Sequence, residues 1–276
     1  MTINYKSELD RWLKSERDKQ RSNKPFNKRF IGSRGYPHFD APVSLNNAKA
    51  IGQLSGRLSN PSVLARWPFY PFLTKYQRVR RYRHNHTVAT VDSSPVVHRD
   101  QKEQTHIKSR PIMVAAHQDA CVFALFAYLL TEPYEAVIKK ERIDDNVVAY
   151  RSIHGSNNVD FAKKAFDYMQ STDELACLLI DIKGFFDNIN HNKLRELVCT
   201  VLGVTTLPDE LNHVFRNITE YRFANEDNVI KEIKHQKKHY LIKIAGAGHY
   251  QRICKPEDFN GVASENGQNS TLRVRE

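Results

Sequence analysis

The sequence predicts an α+β protein, on three observations. Several segments repeat apolar residues at helical spacing, one segment is a continuous apolar run of strand length, and the composition is globular, with 40% hydrophobic and 26% charged residues among 276. A chain of this length holds two lobes or one elaborate domain at roughly 150 residues each, and a chain disordered throughout is excluded. The longest apolar run, residues 120–130, is shorter than the ~20 residues that cross a bilayer, and residues 1–23 have no apolar signal core. A cytoplasmic protein with no membrane partner is expected. Its four cysteines, Cys121, Cys177, Cys199 and Cys254, are far apart and lack zinc-type spacing, so they read as reduced structural thiols.

The elements follow in chain order. Leu9, Trp12 and Leu13 are spaced i, i+3, i+4 for a short amphipathic helix, and a loop rich in Ser, Asn, Gly and Pro runs from there to about Pro61. Val122, Leu125, Phe126, Leu129 and Leu130 predict a buried helix within residues 113–131, closed by Pro133. A helix over residues 159–170 is expected, with Asn158 as cap, Asp160 in the first turn, and Ala162, Ala165, Phe166 and Met169 on one face. Residues 175–182, LACLLIDI, read as a central strand covered by helices. Leu194, Leu197, Val198, Val201 and Leu202 then form a helix ended by Gly203, and Leu211, Val214, Phe215 and Ile218 another opened by Pro208. In the tail, Ile233, Leu241, Ile242 and Ile244 could pin a hairpin or strand, and beyond Asp258 the composition is that of a loop cut short.

The net charge of +11 is concentrated at one end. The first 110 residues hold 22 Lys and Arg against 8 Asp and Glu, and no acid falls between Asp40 and Asp92. In that stretch KYQRVRRYRHNH carries Lys75, Arg78, Arg80, Arg81 and Arg83, with Tyr76 and Tyr82 among them. Arginine pairs bidentately with phosphate and tyrosine stacks on a base, so the pattern suits single-stranded or irregular nucleic acid. A merely solubilising surface would mix charge signs.

The segment richest in chemistry is LLIDIKGFFDNINHNKL, residues 178–194, where an apolar run delivers Asp181 and is followed by Lys183, a glycine, two aromatics and Asp187. A buried carboxylate at a strand end needs a pairing partner or a cation. Magnesium in phosphoryl-transfer sites is held by one or two carboxylates together with substrate phosphates, which suits Asp181. A capping or salt-bridged aspartate beside a turn is the alternative that spacing leaves open.

Asp181, Ile182, Lys183, Gly184, Phe185, Phe186 and Asp187 resemble, position by position, the first palm motif of bacterial reverse transcriptases, the kind found in retrons, group II introns and phage-defence systems. Upstream, KSRPI at residues 108–112 resembles the fingers motif, and YRSIHGSNNVDFAKKAFDYM at 150–169 resembles the segment between fingers and palm in the retron and abortive-infection branches. The resemblance covers residues 105–202. It implies a right-hand polymerase fold, with a basic nucleic-acid-contacting extension at residues 1–90, a fingers-like region at 91–174 and a partial palm at 175–276 built on a central antiparallel-type sheet backed by helices. The implied activity is RNA-directed DNA synthesis by two-metal phosphoryl transfer, with Mg2+ as cofactor. Its partners would be an RNA template, a DNA or RNA primer, deoxynucleoside triphosphates and an associated non-coding RNA or protein. By the same resemblance Asp181 is the catalytic magnesium ligand and the Ile182 carbonyl a further ligand. Arg110, assisted by Lys108, contacts the triphosphate, and Phe186 is the steric gate beneath the sugar.

The sequence also departs from that pattern. The PQG loop and the YxDD hairpin of the family are not found, and the only adjacent aspartates, Asp144 and Asp145, precede Asp181 in a charged stretch and read as surface residues. One carboxylate cannot hold two magnesium ions for in-line displacement, so this chain alone is expected to be a very poor polymerase. The alternative is a catalytically incomplete RNA-binding protein or a split-enzyme subunit. Asp187 reads as a helix cap. His117 with Asp119, and His235 with His239, supply too few ligands for zinc, and GAGHY at 246–250 lacks the order of a nucleotide loop. If Phe186 is the gate, Phe186→Ala admits ribonucleotides in a primer-extension assay; unchanged sugar selectivity removes that role.

Overall fold

In the computed structural model the described residues are 3–21, 36–41, 48–84, 102–151, 156–235, 242–243, 251–254 and 272–274. They form an α+β fold. The helices are α1 (Tyr5–Arg21), α2 (Ala48–Leu58), α3 (Pro61–Leu64), α4 (His117–Lys140), α5 (Asn158–Ser171), α6 (His191–Leu202), α7 (Asp209–Thr219) and α8 (Glu226–His235). The strands are β1 (Phe72–His84), β2 (Lys102–Val114), β3 (Arg222–Asn225), β4 (Ile242–Lys243), β5 (Gln251–Arg252) and β6 (Leu272–Val274). The main sheet has the order β2-β1-β3-β6 and is mixed: β1 runs antiparallel to β2 and parallel to β3, and β3 runs antiparallel to β6.

Two apolar cores stabilise the chain. The larger is helical, joining Leu9 and Trp12 of α1, Leu54 and Leu58 of α2, Val122 and Leu125 of α4, Cys199 of α6, and Leu211, Val214 and Phe215 of α7. The smaller lies between sheet and α8, where Leu73 and Ala224 meet Val229, Ile233 and Ile253. Full burial of one such aliphatic side chain is worth about 1.5–3 kcal/mol, so the helical core dominates. Of the cysteines, Cys121, Cys199 and Cys254 are buried, Cys177 is exposed and none forms a disulfide.

Buried carboxylates join the two cores at the N-terminal end of α4. Asp40 accepts from the backbone N–H groups of His117 (2.9 Å) and Gln118 (2.7 Å), which satisfies two of the helix's orphan donors. Asp119 accepts from the Trp67 indole (2.8 Å) and from the Tyr70 N–H (2.9 Å), fixing the segment that leads into β1. Arg57 lies over the Trp67 ring at 4.0 Å and donates to Gln118 at 2.7 Å. Burial outweighs these hydrogen bonds and pushes the Asp119 carboxyl up to about 7, while burial lowers His38 to about 3 and keeps it neutral.

Several expectations are corrected. Residues 175–182 form no strand: they have no ladder partner among the described residues, and a strand exists only where a neighbour completes its ladder. The sheet is instead built from β1, β2, β3 and β6, and it is mixed where an antiparallel-type sheet was expected. Pro133 does not close α4, which continues to Lys140 with the proline inside. A proline there removes one N–H donor, a loss that a helix packed on a core can absorb. At 24 residues α4 is long and apolar enough to cross a membrane by length and composition, although Val122, Leu125 and Phe126 pack inside the protein. The cap of α5 is Asn157, in a reciprocal box with Asp160, and not Asn158. No residue of α5 is buried, its expected apolar face included. Asn190, donated to by the Lys193 N–H at 2.9 Å, fills the capping role expected of Asp187. The region read as loop up to Pro61 contains α2, whose Ile51, Leu54 and Leu58 keep helical spacing despite Gly52 and Gly56, and α3 begins at Pro61 itself. Gly203 ends α6 at φ 67 as expected, and Pro208 precedes α7. In the tail Ile233 is buried in α8 and Ile242 pairs in β4, while Leu241, Ile244, His239 and residues 246–250 lie outside the described residues.

Asp119→Ala removes the acceptor of the buried Trp67 indole and of the half-buried Tyr70 N–H, and a loss of about 2–5 kcal/mol is expected in urea denaturation. The pH dependence has a definite sign. Between the ordinary carboxylate range and about 7 the folded Asp119 holds a proton that the unfolded chain releases, so its stabilising contribution is full below about 4 and falls as pH rises to about 7. His38 acts oppositely, its contribution growing from about 3 to the ordinary histidine value. Asp119→Asn removes the first trend alone, so the stability gap between wild type and variant narrows from pH 4 to 7; a constant gap contradicts the assignment.

Candidate nucleic-acid interface

The basic run and the KSRPI segment, 25 residues or more apart in sequence, are two strands of one ribbon. KYQRVRRYRH lies in β1 and KSRPI in β2, and each strand is 13 residues long. Their register pairs Lys75 with Ile112, Gln77 with Arg110, Val79 with Lys108 and Arg81 with His106. The alternate positions pair Tyr76 with Pro111, Arg78 with Ser109 and Arg80 with Ile107. Directly opposed residues share a face of an antiparallel pair. One face therefore carries positions 75, 81, 108 and 110, and the other carries Tyr76, Arg78 and Arg80.

Of these side chains, Tyr76, Arg78, Arg80 and Arg110 are exposed and Lys108 is half-buried. Lys75 is committed elsewhere: its ammonium lies 2.8 Å from Glu226 at the start of α8 and ties the root of the ribbon to the body. The register shifts between Arg81 and Tyr82, so that Tyr82 pairs with Gln104 and Arg83 with Glu103. A bulge of this kind adds twist to a ribbon. Beyond Thr74, β1 has β2 as its only partner among the described residues, because β3 pairs with Phe72, Leu73 and Thr74. The outer ribbon thus presents two faces and two edges, with arginines and a tyrosine available to phosphates and bases.

The first-palm-like segment stands apart from this ribbon. Asp181 and Ile182 are exposed at the end of the unpaired run. The chain then turns through Gly184 into a single 3-10 turn, Phe185–Asn188. Glycine is required there: φ is +64, and an added Cβ would stand 3.1 Å from the Asn188 side chain, which donates to the Gly184 carbonyl at 2.8 Å. Phe186 is 67% exposed, meets Phe185 edge-on at 5.3 Å between ring centroids, and lines an open groove of about 920 Å3 with Asn190, His191 and Tyr221.

No protein-family model and no curated protein matches the chain. Its chemistry therefore rests on its own residues. Among the described residues, no group of three or more His, Cys, Asp or Glu side chains is placed to share a cation. Asp181 alone does not make a site for two magnesium ions. Asp144 and Asp145 lie in a turn, where Arg151 donates to the Asp144 carbonyl at 2.7 Å and pairs with Glu135 at 2.7 Å. Asp119 and His117, too few ligands for zinc by sequence, are buried at the junction of the cores, and Asp119 accepts from the Tyr70 backbone.

Sequence reasoning missed the juxtaposition of the two basic segments. A signal was available: TKYQRVR and HIKSRPIM are each strand-length, alternate partly apolar with charged residues, and are separated by a polar stretch. Binding of single-stranded RNA is expected to weaken steeply with salt. Arg78→Ala with Arg80→Ala should lower the slope of log affinity against log salt by about 1.4, at ~0.7 per phosphate contact. An unchanged slope in fluorescence anisotropy removes these two arginines from the interface.

Proposed function

We propose that the chain is the fingers and first palm portion of a reverse-transcriptase-like protein that holds RNA along the β1–β2 ribbon. The observation that supports this reading best is the pairing of KSRPI with the basic run. It gathers the residues expected to meet a triphosphate, Lys108 and Arg110, and those expected to meet nucleic acid, Arg78 and Arg80, on one 13-residue ribbon. In this reading residues 1–90 and 91–174 supply that ribbon jointly, and residues 175–276 supply Asp181 and the Phe186 turn. The reaction class is extension of a primer with deoxynucleotides on an RNA template, in a retron-like or phage-defence setting. Arginine suits the triphosphate because its planar fork matches phosphate oxygens and holds charge at every relevant pH. Magnesium belongs to this reading only through the resemblance, with Asp181 as ligand and the Ile182 carbonyl beside it.

A second reading is favoured by one specific observation. Asp181 is exposed and belongs to no cation-binding group among the described residues, as suits an RNA-binding protein that has lost, or borrows, its catalytic half. The two readings separate in one experiment. Magnesium-dependent primer extension on an RNA template is measured for the chain alone and with host extract, each with wild type and Asp181→Ala. Synthesis that disappears in the variant, by at least a hundredfold as is usual for loss of a group acting on the transition state, supports the polymerase reading (about 3 kcal/mol). RNA binding without synthesis in either sample supports the second.

A further inference from the structure

One arginine beside the helical core stands without a counter-charge. Arg195 of α6 lies over the Phe215 ring at 5.2 Å to the centroid, its Nε is buried with no hydrogen-bond partner, and it pairs with no carboxylate among the described residues. An aromatic face holds a guanidinium in place without consuming its donors, and a buried donor left unsatisfied calls for an explanation. Arg195 lines an open groove of about 590 Å3 between α6 and α7.

Local structure gathers the rest of that groove. Asn192, Arg195 and Cys199 follow one another at i, i+3, i+7 along one side of α6, and the αL turn at Gly203 (φ 67) brings residues 204–207 beside them. Asn212 joins from α7. The side chains of Asn192, Thr205, Thr206 and Asn212 make no hydrogen bond among the described residues, so two amides and two hydroxyls stand uncommitted around the guanidinium. Glu196, the one acid among the described lining residues, has the Lys193 ammonium 2.9 Å away. Cys199 and Leu207 are buried and give the groove an apolar side.

We infer that this groove binds the phosphate of a phosphate ester. The donor set selects the anion: a guanidinium matches phosphate oxygens bidentately, and the amides and hydroxyls serve the oxygens that remain. A carboxylate has only two oxygens and would leave more of these donors idle. The groove is also much larger than a phosphate group, so the ligand carries a further moiety, as an RNA strand or a small phosphorylated molecule does.

This site shares no residue with the β1–β2 ribbon or with Asp181, so it stands or falls separately from the reading above. Inorganic phosphate is the first probe, and thermal unfolding of the full chain is compared in phosphate and in chloride at constant ionic strength. Wild type should gain stability from phosphate. Arg195→Gln should bind it about tenfold more weakly through loss of a charge-assisted hydrogen bond. Thr205→Ala with Thr206→Ala, at exposed loop positions outside both cores, should also weaken it and keeps the test open if Arg195→Gln fails to fold. No gain in wild type, or equal gains in wild type and variants, as the general salting effect of phosphate would give, overturns the inference. Single-stranded RNA then identifies the source of the phosphate. A fall of about 0.7 in the slope of log affinity against log salt in Arg195→Gln assigns it to RNA, whereas an unchanged slope beside a lost phosphate response assigns it to a small phosphorylated molecule.

Discussion

The structure depends on two buried carboxylates at the start of α4. Asp40 closes the helix N-terminus, and Asp119, one turn in, holds the Trp67 indole and the Tyr70 backbone. Burying a carboxylate is costly unless donors converge on it, and here each takes two. The arrangement links the helical core to the sheet core at the point where the chain enters β1. Everything further along that strand is oriented by it, including the ribbon that carries the basic residues. Arg57, stacked on Trp67 and bonded to Gln118, closes the same junction from α2.

From that base the ribbon extends past the body of the sheet. Its first residues are held firmly, because Leu73 is fully buried, β3 pairs alongside, and Lys75 is tied to Glu226. Among the described residues its outer positions pair only with each other. Long open strand edges invite association, and a high density of arginine and lysine is one of the ways in which natural proteins guard them. The charge that suits phosphate therefore also protects the exposed edge, so a single composition answers a structural need and a functional one.

Residues 175–182 show the opposite case. Here the exposed backbone carries leucine and isoleucine, and no charge until Asp181. The ribbon is charged and exposed, whereas this run is apolar and exposed. The Gly184 turn that follows is shaped by purely local constraints, since its φ of +64 strains a side chain and an added Cβ would press on Asn188 at 3.1 Å.

Local sequence by itself determined the elements whose signals are short-range. The periodic leucines of α4, α6 and α7, the αL glycine that ends α6, the charge asymmetry and the α+β class were readable because spacing, capping and turn chemistry act over a few residues. Spacing also predicts the helix at 158–171, though its cap lies one residue earlier and its expected apolar face is not buried. What tertiary structure decided was partnership. LACLLIDI has the composition of a central strand, but strandhood requires a neighbouring ladder that the described residues do not supply. Lys108 and Arg110 came to lie beside the basic run through a register set between distant segments, and Asp119 became a buried tie because Trp67 and Tyr70 fold onto it from 52 and 49 residues away. Such contacts leave no periodic trace in the sequence, since each depends on which surfaces the rest of the chain brings together.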